Sequence, residues 1–410
     1  MKSSRDILIA QQIAPPKVPL WTRDYILACA ANLMMGLAFF ELMPVLPIYL
    51  TGTMQVSPTW LGWIMAIYVI AAIVSRPYFA QKVDSGDRKK IYVTVYILLA
   101  LSFAGYAFAV GAVAFFLTRF VQGLIWGGMT TSGPTVAADI IPPSRRGEGL
   151  GFCGMMMTLG MCIGPIVGLN VYELAGFEAL TWSSLILCFI GVGFASMIRV
   201  PKLIRQEAVQ ETPKKVLDRL VLRVGIPIAI NVMMASFSNG VVAVYSALYG
   251  QMHGFTYAGL FYALMGAGMV ISRIGSGRQI DRGRVAELSV ISLVILTLSF
   301  SALALFPIAW VYYTSAVAIG FGYGIFVPTF QTMKLNMADR GHRGAVNSTF
   351  FTAYDIGIGA GMFFGGKIYA WLGLDWAFGV SAILNFIAII YFYQISHNHY
   401  RKNKLGVDYD

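Results

Sequence analysis

Apolar runs of about 18 residues or more, nearly free of charge, recur along this chain from residue 24 to residue 396. A hydrocarbon core roughly 30 Å thick takes about 20 helical residues to cross, and lipid offers no partner for an unpaired backbone N–H or C=O. Runs of this kind therefore predict membrane-spanning helices. They fall at 24–50, 59–80, 91–110, 112–136, 148–170 and 179–199, and again at 222–249, 257–277, 287–306, 309–334, 344–368 and 376–396. The expected architecture is an all-α membrane protein with twelve transmembrane helices and both termini on one side.

Composition agrees, since 12% of the residues are charged against about 25% in soluble domains. The net charge of +11 would suggest nucleic acid in a soluble chain, but here the basic residues have another explanation. They gather in the tails and in the loops after spans 2, 4, 6, 8 and 10, while 51–58, 171–178, 251–256 and 369–375 carry no Lys or Arg. The positive-inside rule then places both tails in the cytoplasm of a multi-pass cell-membrane protein. The first 20 residues have no apolar stretch or small-residue cleavage site and read as a cytoplasmic tail, not a signal peptide. The expected partners are the lipid bilayer and a small molecule, with no nucleic acid, for a chain acting as a monomer.

The longest loop, 200–221, is charged and bisects the sequence, with an amphipathic portion expected on the membrane surface. It divides the chain into halves at 1–199 and 222–410. The halves repeat each other at an offset of 197 residues: Ser75-Arg76 falls on Ser272-Arg273, Asp84 on Asp281, Gly123 and Gly127 on Gly320 and Gly324, and Gly160, Gly164 and Gly168 on Gly357, Gly361 and Gly365. Parallel repeats related by an axis along the membrane normal build one large class of transporters, with the substrate site near the midplane between them.

Several activities are disfavoured. No Gly-x4-Gly-Lys-Ser/Thr loop and no Ser-His-Asp arrangement is visible, so neither an enzyme nor a nucleotide-driven pump is expected. Cys29, Cys153, Cys162 and Cys188 lie in apolar runs without metal-ligand spacing and read as core residues; no cofactor or metal is implied.

Three motifs carry chemistry. The loop after span 2 reads Ala80-Gln81-Lys82-Val83-Asp84-Ser85-Gly86-Asp87-Arg88, and the second half has a cleaner copy, Gly277-Arg278-Gln279-Ile280-Asp281-Arg282-Gly283-Arg284. A tight glycine turn there sets an aspartate near a helix N-terminus and opposite arginines. Such a cluster either locks one conformation or only fixes topology. In span 4, Arg119-Phe120-Val121-Gln122-Gly123 puts an arginine roughly 10 Å deep; an arginine inside a span is costly and usually functional, the alternative being one that snorkels to the surface. In span 5, Gly160, Gly164, Pro165 and Gly168 form a smooth glycine face with a bend, or a plain packing face.

In these motifs, and along essentially its whole length, the chain resembles the major facilitator superfamily, and the Gly-Pro motif resembles its proton-coupled efflux branch. Ala80 departs from the family's glycine, and Gly86 arrives one residue early. The resemblance implies gating by Asp84, Arg88, Arg146, Asp281, Arg284 and Arg343, and export of a small organic molecule in exchange for protons. A symporter importing a sugar or other metabolite is the alternative.

Acidic residues inside spans are the sharpest candidates for coupling. Glu41 in span 1 lies at a depth similar to Arg119 and is expected to take the proton, with Arg119 tuning its proton affinity. Asp355 in span 11 is a second proton site, a ligand for a cationic group, or a structural acceptor. Trp126, Asn239, Tyr245 and Tyr354 are the expected cavity walls. With Arg119 the one deep basic residue, a carboxylate substrate is not expected. Glu41, Arg119 and Pro165 fall on Ser238, Ala316 and Met362 at the repeat offset, so coupling is expected mainly in the first half.

Overall fold

A computed structural model describes residues 19–142, 145–200, 223–255, 257–337 and 343–405. The expected linker 200–221 lies outside the described residues apart from Val200.

The first half begins with α1 (Arg23–Leu42), capped by the Thr22 hydroxyl, which accepts from the Tyr25 N–H. It continues into α2 (Val45–Gly52) through Met43 and Pro44, both helical in φ/ψ. Pro44 and Pro47 lack the N–H that would tie this turn to the one before, so the crossing bends there. Then come α3 (Pro58–Ser85), capped by Ser57, α4 (Arg88–Ala107), capped by Asp87, α5 (Gly111–Ile140) and α6 (Arg146–Met197). The second half contains α7 (Ile226–Met252), α8 (Leu260–Asp281), α9 (Val285–Leu305), α10 (Ala309–Leu335), α11 (Arg343–Leu372) and α12 (Leu374–Tyr391). A π-helical turn, Phe392–Ser396, leads on to α13 (His397–Asn403).

Among the described residues, ten helical stretches are long and apolar enough to cross a membrane. One of them, Gly149–Met197, is broken at Gly176, where φ is 81°. Each limb is of membrane length, and α11 adds a further 30-residue helix, which brings the count to the expected twelve. The expected loop 171–178 is thus no loop but a corner at one glycine. Gly373, at the repeat offset from Gly176, makes the same corner between α11 and α12 with φ 93°. Side chains rarely tolerate this left-handed conformation, which explains glycine at both.

The repeat recurs in the packing. A methyl group on Gly123 would overlap the Tyr68 carbonyl, and one on Gly320 the Met265 carbonyl. On Gly127 and Gly324 it would strike the hydroxyls of Ser75 and Ser272. Every one of these pairs is related by the same offset. The helix surfaces that face outward carry bare apolar side chains, as lipid allows. Trp60, Trp182, Trp310, Trp371 and Trp376 are exposed toward the end opposite the termini, an interfacial aromatic belt.

Two helix pairs make the main contacts between the halves, α3 with α11 and α6 with α8, and α2 adds a smaller one with α7. Away from the termini they touch closely. Trp63 packs on Phe363 with ring centroids 4.4 Å apart, and a Cβ on Gly62 would stand 2.7 Å from the Phe363 carbonyl. One on Gly259 would meet Leu169 at 3.0 Å, and one on Gly266 would overlap the Cys162 sulfur. Toward the termini α6 and α8 diverge. On the continuing faces Met155 and Val270 are 41% and 42% exposed, and nothing lies within 4 Å of a Cβ on Gly151 or Gly277. The molecule is therefore shut at the far end and open between α6 and α8 at the end that carries the termini.

The cysteines are core residues with one addition: Cys29 and Cys153 stand side by side, Sγ to Sγ 3.5 Å, both buried and unbridged.

Candidate functional site between the halves

Arg76 of α3 and Asp355 of α11 form an ion pair across the two halves, with side chains 25% and 19% exposed. The Arg76 Nε also donates to Thr130 Oγ1 of α5 at 3.4 Å. Beside Asp355, the Tyr354 hydroxyl accepts from Asn239 Nδ2 of α7 at 2.6 Å. Phe350 stacks on Tyr354 one helical turn away, with centroids 6.1 Å apart. From the first half, Trp126 stacks on Phe39 at 4.4 Å, and Tyr68 leans against both rings. Arg76, Trp126, Asn239, Tyr354 and Asp355 are all half-buried. Both halves thus contribute to a strip of polar and aromatic groups with access to solvent.

Three of the four residues expected to line the cavity belong to this strip, and Tyr245 does not. It is fully buried between α7 and α11, its ring lies over Gly365, and its hydroxyl donates to the Met362 carbonyl at 2.8 Å. Its aromatic bulk fills the space a glycine leaves, so it is a packing residue.

Behind the strip lie the buried charges. Glu41 is fully buried; its Oε1 accepts from Ser183 Oγ at 3.0 Å and its Oε2 has no partner. The glycines of α6 form its seat. A Cβ on Gly164 would stand 2.9 Å from the Glu41 nitrogen, one on Gly168 would overlap the Glu41 carbonyl, and one on Gly160 would press on the Gly36 backbone. Pro165 falls within this same run of α6. The motif and the acid are therefore one structural unit.

Arg119 is also buried, at 1% exposure, so it does not snorkel. Nor does it pair with Glu41, and among the described residues no ion pair joins them. Its Nη1 donates to Gln122 Oε1 at 3.0 Å, and Nη2 meets the sulfurs of Met43 and Met65 at 3.4 and 3.8 Å. The guanidinium lies over the rings of Tyr68 and Tyr106 at 5.4 and 5.8 Å. Such a cage of π-faces and polarisable sulfur softens the cost of a desolvated cation without cancelling its charge. Replacing even a buried ion pair by apolar residues of similar volume often stabilises a protein by about 1–4 kcal/mol, and a buried cation without a carboxylate has less to offset its desolvation. Arg119→Met is accordingly expected to raise the thermal unfolding temperature in detergent while abolishing transport; a lower unfolding temperature would show that the cage stabilises the arginine outright.

Lys334 on α10 is a third buried charge, and sequence reasoning missed it by counting it with the loop that follows. It is 0% exposed, its Nζ has no hydrogen-bond partner, and it lies over the Phe350 ring at 5.6 Å. Its place at the last turn of an apolar run was the available signal.

The gating candidates divide. Arg88 binds both oxygens of Asp139 at the end of α5, at 2.8 and 2.9 Å. Asp139 was not anticipated, because nothing in its local sequence marks an acid at a helix end as the partner of a loop arginine. Removing its charge strands Arg88, so Asp139→Asn is expected to destabilise the first half by about 1–3 kcal/mol, read as a lower unfolding temperature that Arg88→Gln partly restores. Arg284 bridges the turn between α8 and α9 at an exposed position: its Nε donates to Glu287 Oε2 at 2.8 Å and its Nη1 to Gln279 Oε1 at 3.2 Å. The side chains of Asp84, Arg146, Asp281 and Arg343 lie outside the described residues. No group of His, Cys, Asp and Glu suited to a metal occurs among the described residues. Two apolar grooves, one lined by Ile295, Thr314 and Phe321 and one by Phe364, Lys367 and Leu384, lie apart from the strip.

Known proteins agree with this architecture. The chain is 22% identical over 348 residues to the staphylopine export protein of Staphylococcus aureus, covering 81% of this chain and 86% of that one. It is 23% identical over 398 residues to the multidrug resistance protein MdtG of Serratia proteamaculans, covering 92% and 94%. Among solved structures, a bacterial homologue of the lysosomal transporter Spinster superposes with a TM-score of 0.76 at 15% identity over 94% of this chain and 99% of that one. A D-xylose–proton symporter superposes with a TM-score of 0.73 at 14% identity over 92% and 98%. These likenesses in structure concern the fold. A family model for the Major Facilitator Superfamily matches residues 28–362 and 280–408. With the repeat, the twelve crossings and the site between halves in place, the chain is a membrane transporter that belongs to the Major Facilitator Superfamily, and it is not an enzyme.

Proposed function

We propose that this transporter exports a small organic molecule in exchange for protons by alternating access, as a monomer with both termini in the cytoplasm. The observation that carries the reading is Glu41. A carboxyl with one free oxygen, buried in a membrane protein, is expensive when charged, and a proton cancels that charge. Its backbone rests on Gly164 and Gly168 of α6, the helix that parts from α8 at the open end. Whatever moves α6 therefore alters the surroundings of Glu41, and proton occupancy there biases the movement. The relatives named for export and multidrug resistance favour the outward direction. With cytoplasmic termini, the open end faces the cytoplasm and Arg76–Asp355 belongs to the loading side.

Everted vesicles made acidic inside give the test. Entry of a substrate from a panel of small organic cations, neutral molecules and anions is expected to dissipate the pH gradient as labelled compound accumulates inside. Accumulation that is indifferent to the gradient, or that requires the opposite gradient, would overturn the reading.

A further inference from the structure

The charges of the open strip do not balance. Arg76 sits opposite Asp355. Arg273 occupies the same position as Arg76 in the second half, at the offset of 197. The residue at the repeat position of Asp355 is Thr158, which carries no charge and turns its hydroxyl to the Gly154 carbonyl at 3.3 Å. Arg273 is half-buried on α8, one turn beyond Val270 on the face that parts from α6, and it lies within electrostatic reach of the Tyr354 hydroxyl. Among the described residues no hydrogen bond or ion pair holds it. Behind Tyr354 stands Phe350, and over Phe350 stands the unpartnered Lys334. Along the strip and behind it there are thus two arginines and a lysine to one aspartate.

We infer that this strip is a binding site for an organic anion, a molecule with a carboxylate or similar group on an apolar, aromatic body, held between Arg76 of one half and Arg273 of the other. The proposal names the substrate class of the site described above and so rests on the transport reading. It also reverses the expectation that a carboxylate would find too few cations. That expectation placed Arg76 and Arg273 at the basic edge of the membrane, whereas their side chains line the space between the halves.

Low-dielectric walls concentrate the field of uncompensated charge, so the strip attracts anions before contact. A guanidinium offers paired donors that match a carboxylate. The face of Trp126, stacked on Phe39, offers a flat apolar surface for the rest of the molecule. Asp355 has a defined part here. It is the resident anion that occupies Arg76 while the site is empty, and an incoming carboxylate competes with it. A ligand that bridges one arginine from each half also binds the closed arrangement better than the open one, which is the differential affinity that alternating access needs.

The test uses the full chain in lipid nanodiscs, without a proton gradient, and two probes of one shape and opposite charge: naphthalene-2-carboxylate and 2-naphthylmethylammonium. Calorimetric titration is expected to show the carboxylate binding at least tenfold more tightly. Arg273→Gln should weaken the carboxylate at least tenfold and leave the ammonium unchanged or tighter, while Arg273→Lys keeps most of the affinity. Asp355→Asn should tighten the carboxylate several-fold, an effect in the opposite direction that a misfolded variant would not give. Preference for the ammonium, no carboxylate binding in the millimolar range, or unaltered carboxylate affinity in Arg273→Gln would each overturn the proposal. These titrations need no proton coupling. Anion selectivity here with gradient-independent uptake in vesicles would remove the exchange reading alone.

Discussion

Glu41→Gln is expected to bind substrate within a few-fold of the parent and to lose at least a hundredfold in proton-driven transport. Gln keeps the shape and an acceptor for the Ser183 hydroxyl, whose oxygen lies 3.0 Å from Glu41 Oε1. What it removes is the ability to gain or lose a charge in a place where an unpaired charge is costly. The helices should therefore pack as before, and downhill exchange of labelled for unlabelled substrate should continue, because exchange needs the conformational change but no net proton movement. The measurement is a pair of rates on one preparation of vesicles, uptake driven by a pH gradient and exchange at equal pH. Loss of both would make Glu41 a structural residue. Retention of both would move the proton site elsewhere, with Asp355 next in line.

The second large effect concerns the glycine seat. Gly168→Ala adds one methyl group where the Glu41 carbonyl already stands, and neither side is a flexible side-chain tip. Backbone has to move, and overpacking of this kind costs about 1–3 kcal/mol. The cost should exceed that of Gly193→Ala in the second limb of α6, where nothing lies within 4 Å of the added carbon. Unfolding temperatures of the two variants in detergent decide it, and equal temperatures would contradict the close approach. Transport should suffer more than stability, because α1 is displaced at the residue that carries the charge. In the second half a methyl on Gly361 would overlap the Phe237 carbonyl, so Gly361→Ala should destabilise as strongly. Its effect on coupling should be smaller, because Ser238 stands at the Glu41 position. That serine joins a neutral network with Tyr323 at 2.8 Å and Asn385 at 2.9 Å.

Most of the architecture was legible in the sequence because a bilayer leaves few options: apolar length gives crossings, and a constant offset gives the repeat. Glu41 and Arg119 were legible as residues, since ionisable groups are rare within spans. Their partners were not. Whether a buried arginine meets a carboxylate or a ring of Met and Tyr depends on rotation about several helix axes, and an error of one residue turns a helix through about 100°. The same ambiguity put Tyr245 in the cavity, although it fills a helix interface, and put Arg76 and Arg273 at the membrane edge. Asp139 escaped notice because its partner, Arg88, lies 51 residues away in another helix. The corner at Gly176 was read as a loop because polar residues surround it, and only the backbone torsion reveals how little chain the turn uses.

That corner has a mechanical consequence. Gly176 and Gly373 join the last two crossings of their halves without slack, so the angle between the crossings can change only by torsion at one residue's backbone bonds. The first limb of α6 cannot peel from α8 alone; it takes its second limb along, and with it Ser183 and the wall of the Glu41 chamber. Each half swings as a single stiff lever, and a proton bound deep inside one lever is felt at its rim.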